Sequence, residues 1–252
     1  MSDQARPLPP AFYAVPATST RRAWVDWWVL LHPPYTLWHL SYVAIGATIA
    51  PQFDGGRLAA TLLAFFLAVG ICAHALDELH DRPLGTAIPG WLLVAVSVAS
   101  MTVAVAIGCV GVSRVGFGLA VFIVIGVALA CGYNLELFGG RLHSDATFAV
   151  AWGAFPLLTA YYAQAETLRP AAAVAAVGAY WLSTAQRSLS TPARILRRRT
   201  ASVDGTVTYV DGRTAALSAE RLLAPLEAAL RATAWATVAL AVTLVLFRST
   251  DL

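Results

Sequence analysis

The sequence predicts an all-α integral membrane protein, built as a bundle of about seven transmembrane helices. Of its 252 residues, 58% are hydrophobic and only 12% are charged, whereas soluble domains carry about 25% charged residues. The apolar residues are gathered into long runs, several of which approach the ~20 residues needed to cross a bilayer. We therefore exclude an ordinary soluble domain, and we expect membrane lipid around the chain and no nucleic-acid partner.

Seven apolar segments are predicted to span the membrane. They cover about residues 35–50, 58–76, 88–112, 116–133, 146–164, 171–188 and 233–247. The first segment is short, but Trp24, Trp27 and Trp28 precede it and are typical of a helix at the membrane interface. Glycine and alanine recur through the segments, which allows close approach of neighbouring helices.

The regions outside the spans predict little additional structure. Residues 1–22 are polar and proline-rich, so we expect a flexible tail without a cleavable signal, followed by one transmembrane domain over residues 23–252. The longest loop covers about residues 189–232. Within it, Asp204-Gly205 and Asp211-Gly212 enclose a β-branched run, which predicts a small hairpin. A helix is predicted to start near Ser218 and to continue into the last span.

The distribution of arginine predicts the orientation of the chain. All 17 basic residues are arginine. With seven spans, the side that receives the N-terminus and the loops after spans two, four and six holds 13 of them, and the other side holds four. Because positive charge favours the cytoplasmic side, we expect a cytoplasmic N-terminus, a cytoplasmic cap formed by those three loops, and insertion in the plasma (inner) membrane.

Two aspartates at the end of the second span are the strongest functional signal. Asp77 and Asp81 are four residues apart, so on a continuous helix they share one face, and His74 adds a third polar group to it. Charge at the end of a span requires partners. Two carboxylates can bind Mg²⁺, which would bridge them to a phosphate-bearing substrate. The alternative is a solvated loop helix without a ligand.

Arginines are the expected partners of the phosphate, because the planar guanidinium donates a fork of hydrogen bonds to phosphate oxygens. Arg82, Arg187 and Arg194 are the predicted diphosphate-binding residues. The run Arg197–Arg199 is a further candidate, although such a run is equally typical of an anchor on anionic lipid headgroups.

The end of the fourth span carries a second polar group, Tyr133-Asn134-Leu135-Glu136. Glu136 is predicted either to join the metal ligands or to act as a general base. Tyr133 and Asn134 are predicted to line the substrate pocket, with the alternative that Tyr133 belongs to an interfacial aromatic belt. The five histidines are scattered along the sequence, so we expect a histidine to form a hydrogen bond with Asp77 or Asp81 rather than to bind a metal.

These residues resemble the UbiA superfamily of intramembrane prenyltransferases. The family's first aspartate motif reads N-D-x-x-D-x-x-x-D, and the stretch from Ala73 to Asp81 keeps its last two aspartates, while alanine and histidine replace the first two positions. Short motifs similar to those of the family occur at Leu31-His32-Pro33-Pro34-Tyr35, Arg82-Pro83-Leu84-Gly85, Gly132-Tyr133-Asn134 and Trp152-Gly153-Ala154-Phe155-Pro156. The likeness covers residues 31–190. Two features depart from the family: residues 183–190 contain no aspartate where the second motif belongs, and seven spans replace the usual nine.

The resemblance implies a Mg²⁺-dependent enzyme that transfers the prenyl group of an isoprenyl diphosphate to an acceptor and releases pyrophosphate. Asp77 and Asp81 would hold the metal, and Glu136 would join them in catalysis. An apolar cavity would hold the isoprenyl tail, with His74, Tyr133, Asn134, Phe155, Tyr161 and Trp181 as its predicted pocket residues, together with Phe65. Two alternatives stay open: a terpene cyclase of the same superfamily, and a non-catalytic transporter or lipid-binding scaffold.

Overall fold

A computed structural model describes residues 23–80 and 82–250 of the chain. The predicted N-terminal tail (residues 1–22) and Asp81 therefore lie outside the described residues. Within them the backbone is almost entirely helical, with one short hairpin. All seven apolar segments identified in the sequence are helices, and the predicted boundaries lie within a few residues of the observed helix ends except at two places. The helix of the sixth segment continues to Arg198, beyond the predicted end at residue 188. The last helix begins at Ala219 rather than at residue 233, and the sequence did predict a helix start near Ser218.

The helices and strands follow one another in simple order. The helices are α1 (Ala23–Leu31), α2 (Pro33–Thr48), α3 (Gly55–Leu79), α4 (Gly90–Val115), α5 (Gly118–Asn134), α6 (residues 145–165), α7 (Pro170–Arg198) and α8 (Ala219–Thr250). Strands β1 (Thr206–Thr208) and β2 (Thr214–Ala216) lie between α7 and α8. Helix α3 consists of Gly55–Phe65, a π-helical segment Phe66–Ala73 and His74–Leu79. Helix α6 consists of Asp145–Ala149, a π-helical segment Val150–Ala154 and Phe155–Ala165.

Helices α2 to α8 run alternately between two ends of a bundle, which we call the His32 end and the Asp54 end. At the His32 end, Arg198 at the end of α7 donates a hydrogen bond to the Pro83 carbonyl, in the loop between α3 and α4. At the Asp54 end, the Gln164 side chain bonds both backbone groups of Asp54, at 2.8 and 3.0 Å. These contacts join loops that are more than 100 residues apart in the sequence, so they fix the antiparallel order of the helices.

Helix α2 lies at the centre of the bundle. Its Trp38 and Tyr42 are buried together with Leu157 of α6 and Leu230 of α8, and Trp38 Nε1 donates to the Tyr42 hydroxyl at 2.7 Å. Helices α2 and α6 approach closely at Gly46, where an added Cβ would lie 2.2 Å from the Leu157 carbonyl oxygen. Glycine at this position therefore sets the spacing of the two helices.

The outer helices carry apolar side chains on their exposed faces. Trp91 of α4 is 72% exposed and Trp181 of α7 is 63% exposed. Within residues 23–80 and 82–250, three helices are long and apolar enough to cross a membrane, namely Gly55–Leu79, Gly90–Val115 and Ala219–Thr250, and Gly118–Asn134 is a shorter apolar helix. An apolar surface of this extent indicates a lipid environment.

The loop between α7 and α8 folds as the Asp-Gly pairs predicted, into an antiparallel hairpin. Thr206 pairs with Ala216 and Thr208 with Thr214, and the turn contains Asp211 and Gly212. Gly212 has a φ of 83°, a left-handed conformation that glycine adopts without steric cost. The Asp211 carboxylate accepts hydrogen bonds from the backbone and side chain of Arg213, and these bonds lower the pKa of Asp211.

Candidate functional site

A cavity of about 590 Å³ opens into the bundle at its His32 end, a size typical of small-molecule sites. It is lined by α1, α2, α3, α5, α6, α7 and α8 and by the loops before α4 and α6. Its deepest lining residues include Val69, eight residues before Asp77 on α3, and His39, seven residues after His32. At 1.5 Å of rise per residue, the cavity therefore reaches about 10–12 Å from the helix ends into the bundle.

Four arginines of α7 line the outer part of this cavity, and we call them the arginine group: Arg187, Arg194, Arg197 and Arg198. Three are held by other groups, because Arg187 Nε bonds Asp145 at 2.7 Å, Arg197 pairs with Glu227, and Arg198 bonds the Pro83 carbonyl. Arg194 makes no hydrogen bond or ion pair with the described residues. Its donors are therefore available to an anion in the cavity.

Asp77 lines the cavity beside the arginine group. It is half-buried, and among the described residues nothing donates a hydrogen bond to its carboxylate. The helix ends at Leu79, and His80 is extended with φ −90° and ψ 115°. The helix that carries Asp77 therefore ends before position 81, and the expectation that Asp77 and Asp81 share one helix face stays a prediction. Asp81 itself lies outside the described residues.

Two buried carboxylates hold the loop that borders the cavity. Glu78 is fully buried and accepts hydrogen bonds from Leu84 N at 2.9 Å and from both the amide and the hydroxyl of Thr86 at 2.8 Å. Asp26 of α1 accepts from Ala87 N at 3.0 Å. Of the adjacent acidic pair at the end of α3, Asp77 thus faces the cavity while Glu78 orders the loop after the helix.

The inner part of the cavity is aromatic. Phe148 and Trp152 line it, while Tyr35 and Tyr133 line the cavity within one helical turn of its opening. The rings of Tyr133 and Trp152 meet edge to face at 5.8 Å. The Arg187 guanidinium lies 5.2 Å from the centre of the Phe148 ring, so charge and aromatic surface meet at this point. The cavity is polar at its outer part and apolar at its inner part, a division suited to an amphiphilic ligand.

Four of the five histidines line the same cavity, and each Nδ1 lies within hydrogen-bond distance of a backbone carbonyl. The pairs are His32 with Leu30 at 3.0 Å, His39 with Trp152 at 2.9 Å, His74 with Gly70 at 3.0 Å and His143 with Tyr133 at 3.2 Å. The carbonyls of Gly70 and Trp152 belong to the two π-helical segments, a geometry frequent at functional sites. Burial, with smaller effects of His74, Arg198 and Arg194, holds the pKa of His32 well below its usual value.

A buried polar atom without a partner also belongs to this cavity. The Oε1 atom of Gln186 is buried and accepts no hydrogen bond from the described residues, and the side chain lines the cavity. Buried polar atoms are almost always hydrogen-bonded in native proteins. The Gln186 amide oxygen is thus a position where a ligand or a water molecule can donate a hydrogen bond.

The structure brings together six of the predicted site residues: His74, Asp77, Tyr133, Asn134, Arg187 and Arg194 all line the cavity. Two polar residues lie elsewhere. Glu136 lies outside the lining, with its carboxylate 3.8 Å from His80 and from His143, because the chain turns away after α5 and gives Glu136 a φ of 48°. Arg82 donates a hydrogen bond to the Ile88 carbonyl at 2.6 Å and thereby stabilises the loop between α3 and α4, in which both residues lie.

The three aromatic residues predicted to line the pocket also lie outside the cavity. Phe155 packs against Phe65 and Phe122, with ring centres 6.2 Å apart in both cases, outside the cavity. Tyr161 is buried with Ala50 and Ala172 near the Asp54 end. Trp181 lies on the outer surface of α7. None of the three side chains lines the cavity, because a helix turns its residues in all directions and an apolar segment gives no sign of which face is inside.

Sequence reasoning missed His39 and the aromatic residues Phe148 and Trp152. The signal for His39 was present: an ionisable residue inside an apolar segment is a functional-site hypothesis by default. No comparable signal marks Phe148, and Trp152 is distinguished only as the first residue of the family-like stretch Trp152–Pro156.

Comparison with known proteins adds no family to this description. No family model, no curated protein and no solved structure matches the chain.

Proposed function

We propose that this chain is a Mg²⁺-dependent intramembrane enzyme that acts on an isoprenyl diphosphate, as a divergent UbiA-like prenyltransferase. One observation carries the proposal: in a single cavity, four guanidinium groups and three carboxylates lie towards the opening, and aromatic rings extend from there into the bundle. An isoprenyl diphosphate has the same division, with an anionic head and an unsaturated apolar tail.

The arginine group supports a diphosphate head. Guanidinium groups bind phosphate oxygens through short, charge-assisted hydrogen bonds, and four of them line this cavity. The net positive charge of the lining would also draw an anion from the membrane surface. Arg194, which has no partner among the described residues, is the expected direct ligand.

Asp77 supports a role for Mg²⁺. The described residues contain no group of three or more His, Cys, Asp or Glu side chains placed to hold a metal ion, so they form no cage made of protein alone. Mg²⁺ usually keeps several waters and needs only one or two carboxylates together with substrate phosphates. Asp77, half-buried beside the arginine group, fits that requirement, and the sequence offers Asp81 as the second carboxylate.

In the proposed reaction, the bond between C1 of the prenyl group and the diphosphate oxygen breaks, and its electron pair leaves with pyrophosphate. Arg187 and Arg194 stabilise the charge that develops on the leaving group. Asp77 would hold Mg²⁺, which would supply further positive charge to the leaving group. Phe148 and Trp152 stabilise the allylic cation through their ring faces, and their apolar surface disfavours water around the cation until an acceptor attacks C1.

We further propose that all seven long helices cross the membrane, with the His32 end on the cytoplasmic side. The bundle packs the less apolar α2, α6 and α7 against the three apolar helices. Arginines are concentrated at the His32 end, as the positive-inside rule requires of a cytoplasmic face.

Pyrophosphate release tests the proposal. Purified protein in liposomes is given farnesyl or geranylgeranyl diphosphate with Mg²⁺, and we expect turnover by the wild type and its loss in Asp77→Asn. The matched control is Asp204→Asn, which alters an exposed carboxylate of the hairpin and should retain turnover. Binding without pyrophosphate release would favour the non-catalytic scaffold, and cyclic products formed without an acceptor would favour the terpene cyclase.

A further inference from the structure

The four cavity histidines share one protonation pattern. A carbonyl oxygen can only accept a hydrogen bond, so each Nδ1 that contacts a carbonyl must carry the hydrogen. In the neutral imidazole the other nitrogen, Nε2, then carries the lone pair that can accept a proton. The hydrogen bonds of His32, His39, His74 and His143 therefore provide proton acceptors along the cavity.

His39 is the histidine among the aromatic residues. It is 6% exposed and lies on α2, about 10 Å further into the bundle than His32. Its ring meets Phe148 edge to face at 5.8 Å and lies 6.5 Å from Trp152. No described residue forms a hydrogen bond with His39 Nε2. A base is thus held beside the rings that would surround a prenyl cation.

We propose that His39 Nε2 is the general base that removes the proton when this cation is quenched. This role rests on the proposed function. After the C1–oxygen bond has broken, either the cation loses a proton from a neighbouring carbon and forms a new double bond, or the π electrons of an unsaturated acceptor form a bond to C1. In both cases the proton leaves carbon for Nε2, and the C–H electron pair stays in the hydrocarbon.

The position of His39 distinguishes it from the other three histidines. His32 and His74 lie at the outer part, with ring centres 4.9 Å apart, where the diphosphate head would bind. His143 stacks on Tyr133 at 4.4 Å near Glu136. The titratable groups that face His39 are Tyr42 on its own helix, at 6.4 Å between rings, and His74 on α3. Neither is a carboxylate, so within the part of the chain that the structure describes no carboxylate facing His39 competes for the proton.

Replacing His39 by asparagine tests this role, because the Asn side-chain amide can still donate to the Trp152 carbonyl while the Nε2 lone pair is lost. With farnesyl diphosphate and Mg²⁺, we measure pyrophosphate release and the ratio of hydrocarbon or coupled product to farnesol. General-base catalysis contributes about 10²–10⁴-fold, so we expect that ratio to fall by about 100-fold while pyrophosphate release continues. A structural defect would reduce both quantities together.

Chemical rescue covers the case in which the asparagine variant does not fold. His39→Gly leaves space for an imidazole, and added imidazole should restore the product ratio without changing pyrophosphate release. The control His80→Asn alters an exposed histidine outside the cavity lining and should keep the wild-type ratio. A wild-type ratio in His39→Asn would overturn the role of His39 alone. Absence of pyrophosphate release from the wild type would overturn the proposed function, and the role of His39 with it.

Discussion

Arg194 is the residue whose replacement tests the proposed binding of the diphosphate head most simply. It lines the cavity, and no described residue uses its guanidinium. Replacement by glutamine removes the positive charge and the planar fork while it keeps a polar side chain of moderate length. Fold and helix packing should be unaffected, because no hydrogen bond within the described part of the chain is lost.

The expected loss follows from the exposure of the side chain. A hydrogen bond to a charged group contributes about 1.5–3 kcal/mol, and Arg194 is an exposed residue at the outer part of the cavity, so solvent screening favours the lower limit. About 1.5 kcal/mol corresponds to a roughly tenfold increase in Kd. Isothermal titration of the protein in detergent, with Mg²⁺ and the non-hydrolysable farnesyl thiodiphosphate, measures this change.

Arg199→Gln is the matched control, because it removes the same charge from the end of the same helix but outside the cavity lining. We expect its Kd to remain close to that of the wild type. An equal loss of affinity in the two variants would show that the diphosphate responds only to the overall positive charge at the end of the helix. That result, or an unchanged Kd in Arg194→Gln, would refute the assignment of Arg194 as a ligand.

Three further predictions concern stability. Gly46→Ala should lower the free energy of unfolding in mixed micelles by about 2 kcal/mol through overpacking, because the new Cβ would lie 2.2 Å from the Leu157 carbonyl oxygen. In the control Gly178→Ala the new Cβ has nothing within 4 Å, and the free energy of unfolding should instead rise by about 0.5–1 kcal/mol. Glu78→Gln should lower the free energy of unfolding by about 2 kcal/mol, because an amide cannot accept all three buried hydrogen bonds. An unchanged free energy of unfolding would contradict the role of Glu78 in holding the loop. Because the pKa of His32 is depressed in the folded protein, the unfolded chain takes up a proton that the folded chain does not, and stability should fall as the pH drops below about 6.5. The Tm measured at pH 7.5 and 5.5 should fall less in His32→Asn, in which asparagine tolerates the left-handed backbone at this position.

The sequence predicted the helices well because hydrophobicity is a property of each segment. The lengths of α3, α4 and α5 follow from their apolar runs, and the hairpin follows from Asp211-Gly212. The end of α3 was not predictable in the same way. The chain leaves the helix at His80, since Glu78 forms hydrogen bonds with the following loop rather than with a helical neighbour, and a tertiary contact of this kind leaves no local pattern.

The candidate site was predicted at its outer part and missed at its inner part. Asp77, Arg187 and Arg194 were identified because charge near an apolar span is rare and therefore conspicuous. The inner lining depends on which way each helix faces and on the π-helical segment at Trp152, which rotates the following residues relative to an ordinary α-helix. Phe155 and Trp152 are only three residues apart, yet only Trp152 faces the cavity.

Photoaffinity labelling is the most direct measurement of the central claim, that the anionic head lies at the arginine group and the apolar tail lies inside the bundle. A farnesyl diphosphate analogue with a diazirine at the far end of its tail should label residues around Phe148 and Trp152 of α6 or around His39 of α2. Excess farnesyl thiodiphosphate should abolish this labelling. Labelling confined to the outer surface, at Trp91 or Trp181, and insensitive to the competitor would contradict the account.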